Sequence, residues 1–233
     1  MEEIWKPLTR SEMAARVARD IPEGWYVNLG IGIPTLVSNY LPADKEIILH
    51  SENGIVGMGP EAQAGAINPW LVNAGKQHVT LVTGGAYVHH AESFGMIRGG
   101  HIDLCVLGAF QVAENGDLAN WATLRDSMPP AVGGAMDLCA GAKRLWVMTD
   151  HRTKAGESKL VKRCAYPLTG LACVSRVYTN LAVLDVTPTG FQLVEMASGL
   201  SFERLQDLTG AHIHRPASAA LLPRRDESPR DLR

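Results

Sequence analysis

Glu52 stands near the head of the stretch Ser51-Glu52-Asn53-Gly54-Ile55-Val56-Gly57-Met58-Gly59-Pro60. The run before it, Glu46-Ile47-Ile48-Leu49-His50, is short and apolar and predicts a strand. In open α/β sheets ligands gather at the carboxyl ends of strands, and glycine permits positive φ or close backbone approach. A carboxylate held at such a point by a glycine-rich loop suits nucleophilic or acid–base chemistry. A turn bearing one solvated acid accounts for the same local pattern, so the loop alone leaves both readings open. Gly133-Gly134 pose a similar choice. They precede a helical stretch, Ala135-Met136-Asp137-Leu138, and free backbone N–H groups at a helix start suit an anion or a developing oxyanion. A tight packing turn explains them equally well.

The elements that must position these groups follow from periodicity. Residues 9–20 predict a helix capped by Thr9 or Ser11, with Met13, Ala14, Val17 and Ala18 on one face. Trp25-Tyr26-Val27-Asn28-Leu29 predicts a strand running into Gly30-Ile31-Gly32, and Pro34 suits the first turn of a helix reaching about Tyr40. That Gly-x-Gly lacks the third glycine of a dinucleotide fingerprint, so NAD binding is not expected. The region through Trp70 reads as loop, residues 79–82 as a strand, and residues 92–98 as a helix stopped by Gly99-Gly100. Ile102-Asp103-Leu104-Cys105-Val106-Leu107 and Arg144-Leu145-Trp146-Val147-Met148-Thr149 are near-continuous apolar runs, as parallel strands covered on both faces require. Asn115-Gly116 between apolar runs signals a hairpin. Three short strands near 174–178, 181–186 and 191–195 and a helix near 201–208 close the pattern. The expected fold is α/β, with a mostly parallel central sheet covered by helices and a short antiparallel section. One domain is expected over residues 1–215. Residues 216–233, rich in Pro, Arg, Asp and Ser without periodicity, are expected to be a disordered tail.

Composition narrows the function classes. The chain has 233 residues, 46% hydrophobic and 20% charged, with a formal charge of −2, which argues against nucleic-acid or anionic membrane partners. The acidic start, Met1-Glu2-Glu3, carries no apolar segment of a signal peptide, and the expected location is the cytoplasm. Cys105, Cys139, Cys164 and Cys173 show no CxxC spacing, and His89-His90 are adjacent, so neither a disulfide framework nor a metal site is expected.

Taken together, three corners carry a resemblance. Ser-Glu-Asn-Gly-x-x-Gly-Met-Gly at 51–59, Gly-Gly-His-Ile-Asp at 99–103 and Gly-Gly-Ala-Met-Asp-Leu at 133–138 resemble, in that order, the B (β) subunit of 3-oxoacid CoA-transferases. The resemblance spans about residues 13–210. Finer stretches are most similar to the 3-oxoadipate branch, in the β-ketoadipate route of aromatic catabolism. These are His101 through Val112, Gly156-Glu157-Ser158-Lys159-Leu160-Val161, and Tyr166-Pro167-Leu168-Thr169-Gly170.

The resemblance implies that Glu52 is a covalent nucleophile, that CoA moves from succinyl-CoA to a 3-oxo acid, and that an A (α) subunit completes an A2B2 heterotetramer. Coenzyme A is then substrate, and no resident cofactor is implied. Acetoacetate in place of 3-oxoadipate is one alternative. A sugar-phosphate isomerase on a related fold, with Glu52 as base, is another. Covalent transfer requires an ionised Glu52, with Asn53 and nearby N–H groups as its expected donors, and oxyanion donors, for which Gly133 and Gly134 are the candidates. Gln111 and Asn120 would add side-chain donors or, instead, satisfy a hairpin backbone. Asn53, Gly54, Asn73, Gly75, Gln111 and Asn120 are the expected substrate and CoA contacts, while Gly57, Met58 and Gly59 are placed in a seal against water. For a dicarboxylic acid the candidate cations are Lys76, Arg98, His101 and Arg125, each also readable as a solvated surface charge.

Overall fold

The computed structural model describes residues 5–123, 130–215 and 220–221. Helix α1 (Arg10–Asp20) opens with a capping box, in which Thr9 Oγ1 accepts from the Glu12 N–H and Glu12 Oε2 accepts from the Thr9 N–H. Both orphan donors are thereby satisfied. Strand β1 (Tyr26–Leu29) leads to the helix expected from Pro34 to about Tyr40, which is a 3-10 helix over Ile33–Tyr40. Thr35 Oγ1 and Ser38 Oγ each donate to the carbonyl three residues back, which competes with the α ladder and tightens the coil.

In chain order there follow β2 (Ile48–Ser51), β3 (Ile55–Glu61), β4 (Val79–Tyr87), α2 (His90–Arg98) and β5 (Leu104–Leu107). Next come β6 (Gln111–Ala113), β7 (Leu118–Ala119), α3 (Ala135–Gly141), β8 (Leu145–Thr149) and β9 (Leu160–Val161). The chain closes with β10 (Val174–Thr179), β11 (Ala182–Thr187), β12 (Gly190–Met196), α4 (Phe202–Asp207), β13 (Ile213–His214) and β14 (Ala220–Leu221). Strands β10, β8, β5, β1 and β2 lie side by side and parallel, while β3–β4 and β11–β12 extend the two margins antiparallel. This is the α/β arrangement with a mostly parallel centre that the apolar runs predict.

The parallel strands are buried on both faces because successive side chains point to opposite sides. Cys105, Leu107, Leu145 and Val147 join a core with Ile97 of α2, Leu138 of α3 and Leu205 of α4. Leu104, Val106, Trp146 and Met148 join the opposite core with Met13, Ala14 and Val17 of α1. The Asn115-Gly116 signal is realised as the β6–β7 hairpin, with Gln111 opposite Ala119 and Val112 opposite Leu118. Within the expected tail, β14 lies parallel to β12; residues 216–219 and 222–233 lie outside the described residues.

The largest local departure concerns the Glu52 stretch. Ser51 to Pro60 is not a loop: Ser51 pairs with Ile55 across a tight antiparallel turn, and β3 continues through Gly57, Met58 and Gly59. Strand β4 likewise continues beyond Val82 through Gly84-Gly85 to Tyr87, where Ile55 pairs with it. Glycines read as punctuation are instead sites where two strands meet closely. A Cβ on Gly57 would come within 2.8 Å of the Gly85 Cα.

Candidate active site

Glu52 sits first in the three-residue turn between β2 and β3. The turn closes through the Gly54 N–H donating to the Ser51 carbonyl at 2.9 Å. Gly54 has φ +110°, and a Cβ there would collide with the Val88 carbonyl, so no other residue suits the position. The Ser51 hydroxyl accepts from the Ala74 N–H at 3.1 Å.

Behind the turn runs a buried polar chain that sequence reasoning missed. Asn28 Nδ2 lies 3.0 Å from His50 Nδ1, His50 Nε2 lies 2.9 Å from Ser93 Oγ, and Ser93 Oγ lies 3.4 Å from the Ser51 carbonyl. The Asn28 amide nitrogen can only donate to Nδ1, so the proton of the neutral ring sits on Nε2 and is given to Ser93, which donates onward. Burial pushes the His50 pKa down to about 4, so the ring is neutral at pH 7 and the chain is fixed in that sense. It ties β1, β2 and α2 together behind the carboxylate.

Glu52 faces a cavity of about 480 Å3 at the carboxyl ends of β1, β2, β5 and β8. Gly133 and Gly134 form part of its wall with Asn120 and Lys159. A Cβ on Gly134 would overlap Glu52 Oε2 and approach Phe94 Cζ to 3.0 Å; only glycine lets the α3 start come this near. Gly134 is the N-cap of α3, with Gly133 at φ +55°. Burial raises the Glu52 pKa, His90 at the start of α2 lowers it, and Asp137 in the first turn of α3 raises it. Among the described residues no hydrogen bond reaches the Glu52 carboxylate.

The structure sorts the other sequence candidates. Asn53, expected to donate to Glu52, turns away, its Nδ2 donating to the Val72 carbonyl at 2.8 Å. Asn73 is buried and accepts from the Gly75 and Gln77 N–H groups through Oδ1, which makes it a turn former. Gly75 belongs to that turn, and Gly54 to the hairpin; only the neighbouring Ala74 lines the cavity. Gln111 lies outside the cavity, and its Oε1 holds the Ala165 N–H at 2.7 Å. Asn120 does line the cavity, but its amide donates to the Gly108 carbonyl at 3.2 Å and accepts from Thr169 Oγ1 at 2.7 Å. Asn120 thus serves the backbone beside the hairpin, as the alternative reading has it, whereas Gln111 holds a backbone group outside the hairpin. Gly57 and Gly59 pack against β4 rather than over the cavity.

Of the cations, Arg98 pairs with Asp137 at 2.7 Å and is largely exposed. Neither Lys76 nor His101 lines the cavity, and Arg125 lies outside the described residues. His89 caps α2, accepting from the Ala91 N–H at Nδ1.

Glu52 is thus a half-buried carboxylate at the strand ends of an α/β sheet, pressed against a glycine corner and facing a cavity. The chain belongs to the coenzyme A transferase family, whose model matches residues 10–204. It is 64% identical over 207 residues to the B subunit of the 3-oxoadipate CoA-transferase of Pseudomonas putida, covering 89% of this chain and 97% of that one. It is 44% identical over 202 residues to the B subunit of the succinyl-CoA:3-ketoacid coenzyme A transferase of Helicobacter pylori, covering 87% and 97%.

Among solved structures, an acyl-CoA transferase of Escherichia coli O157:H7 superposes with a TM-score of 0.72 at 18% identity. That match covers 93% of this chain, which spans only 43% of the longer E. coli chain. Glutaconate coenzyme A-transferase of Acidaminococcus fermentans matches with a TM-score of 0.67 at 17% identity, covering 95% and 92%. The decarboxylase AibA/AibB shares the fold with a TM-score of 0.67 at 15% identity, covering 92% and 89%, so the fold by itself does not choose the reaction.

Proposed function

We propose that this chain is the nucleophile-bearing B subunit of a 3-oxoadipate CoA-transferase, with succinyl-CoA as donor. The observation that carries the reading is the placement of Glu52, uncapped by described donors and in contact with the Gly134 corner at the cavity. The 64% identity to the B chain of a 3-oxoadipate CoA-transferase, against 44% to a succinyl-CoA:3-ketoacid enzyme, favours 3-oxoadipate over acetoacetate as acceptor. Membership of the coenzyme A transferase family removes the support for a sugar-phosphate isomerase.

The chemistry suits a carboxylate. Glu52 attacks the succinyl-CoA carbonyl and expels CoA thiolate, giving a mixed anhydride. The thiolate then attacks the glutamyl carbonyl, releasing succinate and leaving a glutamyl-CoA thioester. The 3-oxoadipate carboxylate attacks that thioester, and the two steps run in reverse to give 3-oxoadipyl-CoA and free Glu52. A serine would form an oxygen ester, too stable to return its acyl group readily. Dividing one exchange into steps of similar energy is the use of covalent catalysis here.

Each tetrahedral intermediate places negative charge on an oxygen beside Glu52. The N–H groups of Gly133 and Gly134 are the proposed donors, in keeping with the closeness of Gly134 to Oε2. Removing one such donor typically costs about 100-fold or more in rate.

The reading includes a cytoplasmic A2B2 assembly completed by the A (α) partner. Relatives that are themselves B subunits imply such a partner.

Incubating the A/B complex with succinyl-CoA should place CoA on the Glu52 peptide as a hydroxylamine-cleavable adduct visible by mass spectrometry. Glu52→Gln should fold normally yet show neither adduct nor exchange. Retained turnover in that variant would sink the nucleophile assignment.

A further inference from the structure

We infer that Lys159 binds the free carboxylate of the dicarboxylic acyl group whose other end reacts at Glu52, and so selects dicarboxylic over monocarboxylic acids. The inference rests on the CoA-transfer reading and deepens it by naming the group that recognises the substrate class.

Among the described residues lining the cavity, Lys159 is the sole cation and Glu52 the sole anion. A dicarboxylic acyl chain bears one reacting carbonyl and one remote charge. A cavity holding one nucleophile and one cation matches those two ends. The cations nearest the sequence motifs do not compete, since Arg98 is held by Asp137 and Lys143 by Asp103, each at 2.7 Å.

The Lys159 ammonium is placed rather than free to roam. Nζ donates to the Ala109 carbonyl at 3.1 Å and to Thr149 Oγ1 at 2.9 Å. The Thr149 hydroxyl is itself buried and lies 3.2 Å from that same carbonyl. An ammonium carries three N–H donors, so one remains after these two bonds. Lys159 also borders a second cavity, lined by Arg152 and Arg204 among others. Both partners of its Nζ, however, line the first cavity and neither lines the second. The charged end therefore belongs on the Glu52 side.

The backbone supports the same placement, with the Lys159 N–H donating to the His151 carbonyl at 3.0 Å. Burial lowers the Lys159 pKa, Asp150 raises it and Arg10 lowers it. An arriving carboxylate would offset that burial effect by favouring the charged form.

The discriminating measurement compares 3-oxoadipate with 3-oxohexanoate, a monocarboxylate of the same chain length, as acceptors for the A/B complex. In the wild type, kcat/KM should favour the dicarboxylate. In Lys159→Met the dicarboxylate-to-monocarboxylate ratio of kcat/KM should fall by about 10- to 100-fold, the usual range for losing a hydrogen bond to a charged group. Lys159→Arg should restore part of the ratio. Lys159→Gln, which can still donate to the Ala109 carbonyl, should lose it as Lys159→Met does; this makes the comparison even if the methionine variant fails to assemble.

A role limited to holding β8 near β9 would lower both acids equally and leave the ratio unchanged, and that result would overturn the inference. Wild-type complex that transfers CoA to neither acid would overturn the CoA-transfer reading, and the inference with it.

Discussion

At the scale of single residues, the contact between Glu52 and Gly134 is the tightest constraint on the site. The position that a Gly134 Cβ would occupy is already filled by Glu52 Oε2 on one side, with Phe94 Cζ at 3.0 Å on another. Gly134 has φ −85°, a value any residue adopts, so alanine there meets a steric rather than a backbone obstacle. The added methyl must push the carboxylate away from its line of attack. Misplacement on the order of 1 Å costs about 100-fold in rate. Gly134→Ala is therefore expected to lower kcat by about that factor while shifting the melting temperature little. Steady-state kinetics alongside a thermal melt would check this, and an unimpaired kcat would show that Glu52 has room to spare.

At the scale of elements, the site depends on how β1, β2 and α2 are locked together. Ser93 is fully buried and receives the His50 Nε2–H while standing beside the Ser51 carbonyl. Removing the hydroxyl strands a buried donor on His50, at a cost of about 1–3 kcal/mol. Ser93→Ala should lower stability by that amount in chemical denaturation. It should also reduce kcat, because the hairpin that carries Glu52 loses its rear support. Ser93→Cys, whose sulfur is a weak acceptor for the His50 N–H, should fall between. A stability loss without any kinetic effect would mean that the hairpin is held by strand pairing alone.

At the scale of the whole molecule, His50 and His151 set the response to acid. His151 is buried between Thr179 and Thr209, with ring nitrogens 3.0 and 2.9 Å from their hydroxyls. Burial, with a smaller effect of Arg152, brings its pKa down to about 4, as burial does for His50. An unfolded histidine titrates near 6.5, so between pH 6.5 and 4 the unfolded chain binds more protons than the folded one. Stability is then fully present above about pH 6.5 and declines as the pH falls towards 4. The shift corresponds to a loss on the order of 3 kcal/mol per histidine below that window. Denaturant melts from pH 7.5 to 4.5 should show midpoints falling through this range, and His151→Gln should flatten the slope. A flat profile in the wild type would mean that the rings take up protons in the fold as readily as in the unfolded chain.

Much of this structure is legible in the chain. Residues 104–107 and 145–148 are apolar throughout, the pattern of a strand covered on both faces; both runs lie at the centre of the sheet. Thr9 with Glu12, and Ser201, mark helix starts by types that cap locally. Glu52 and the Gly133-Gly134 corner stood out by sequence motif, and the fold brings them into contact.

What the sequence did not disclose depends on partners distant along the chain. Periodicity cannot say that the Glu52 stretch pairs with β4, because Ile55 and Tyr87 meet only in the sheet. Nor can residue type tell whether an amide faces a ligand or a backbone group. Asn53, Asn73 and Gln111 all bind backbone here. Asn28, His50 and Ser93 read as ordinary strand and helix residues until the fold joins them. Lys159 reaches Ala109, 50 residues away in the chain, and only that closure puts a cation in the cavity with Glu52. Local propensity marked most of the elements, and the sequence motifs singled out Glu52 and the Gly133-Gly134 corner; which polar side chains face the cavity and which are taken up by backbone groups was decided by tertiary contacts between residues distant in the chain.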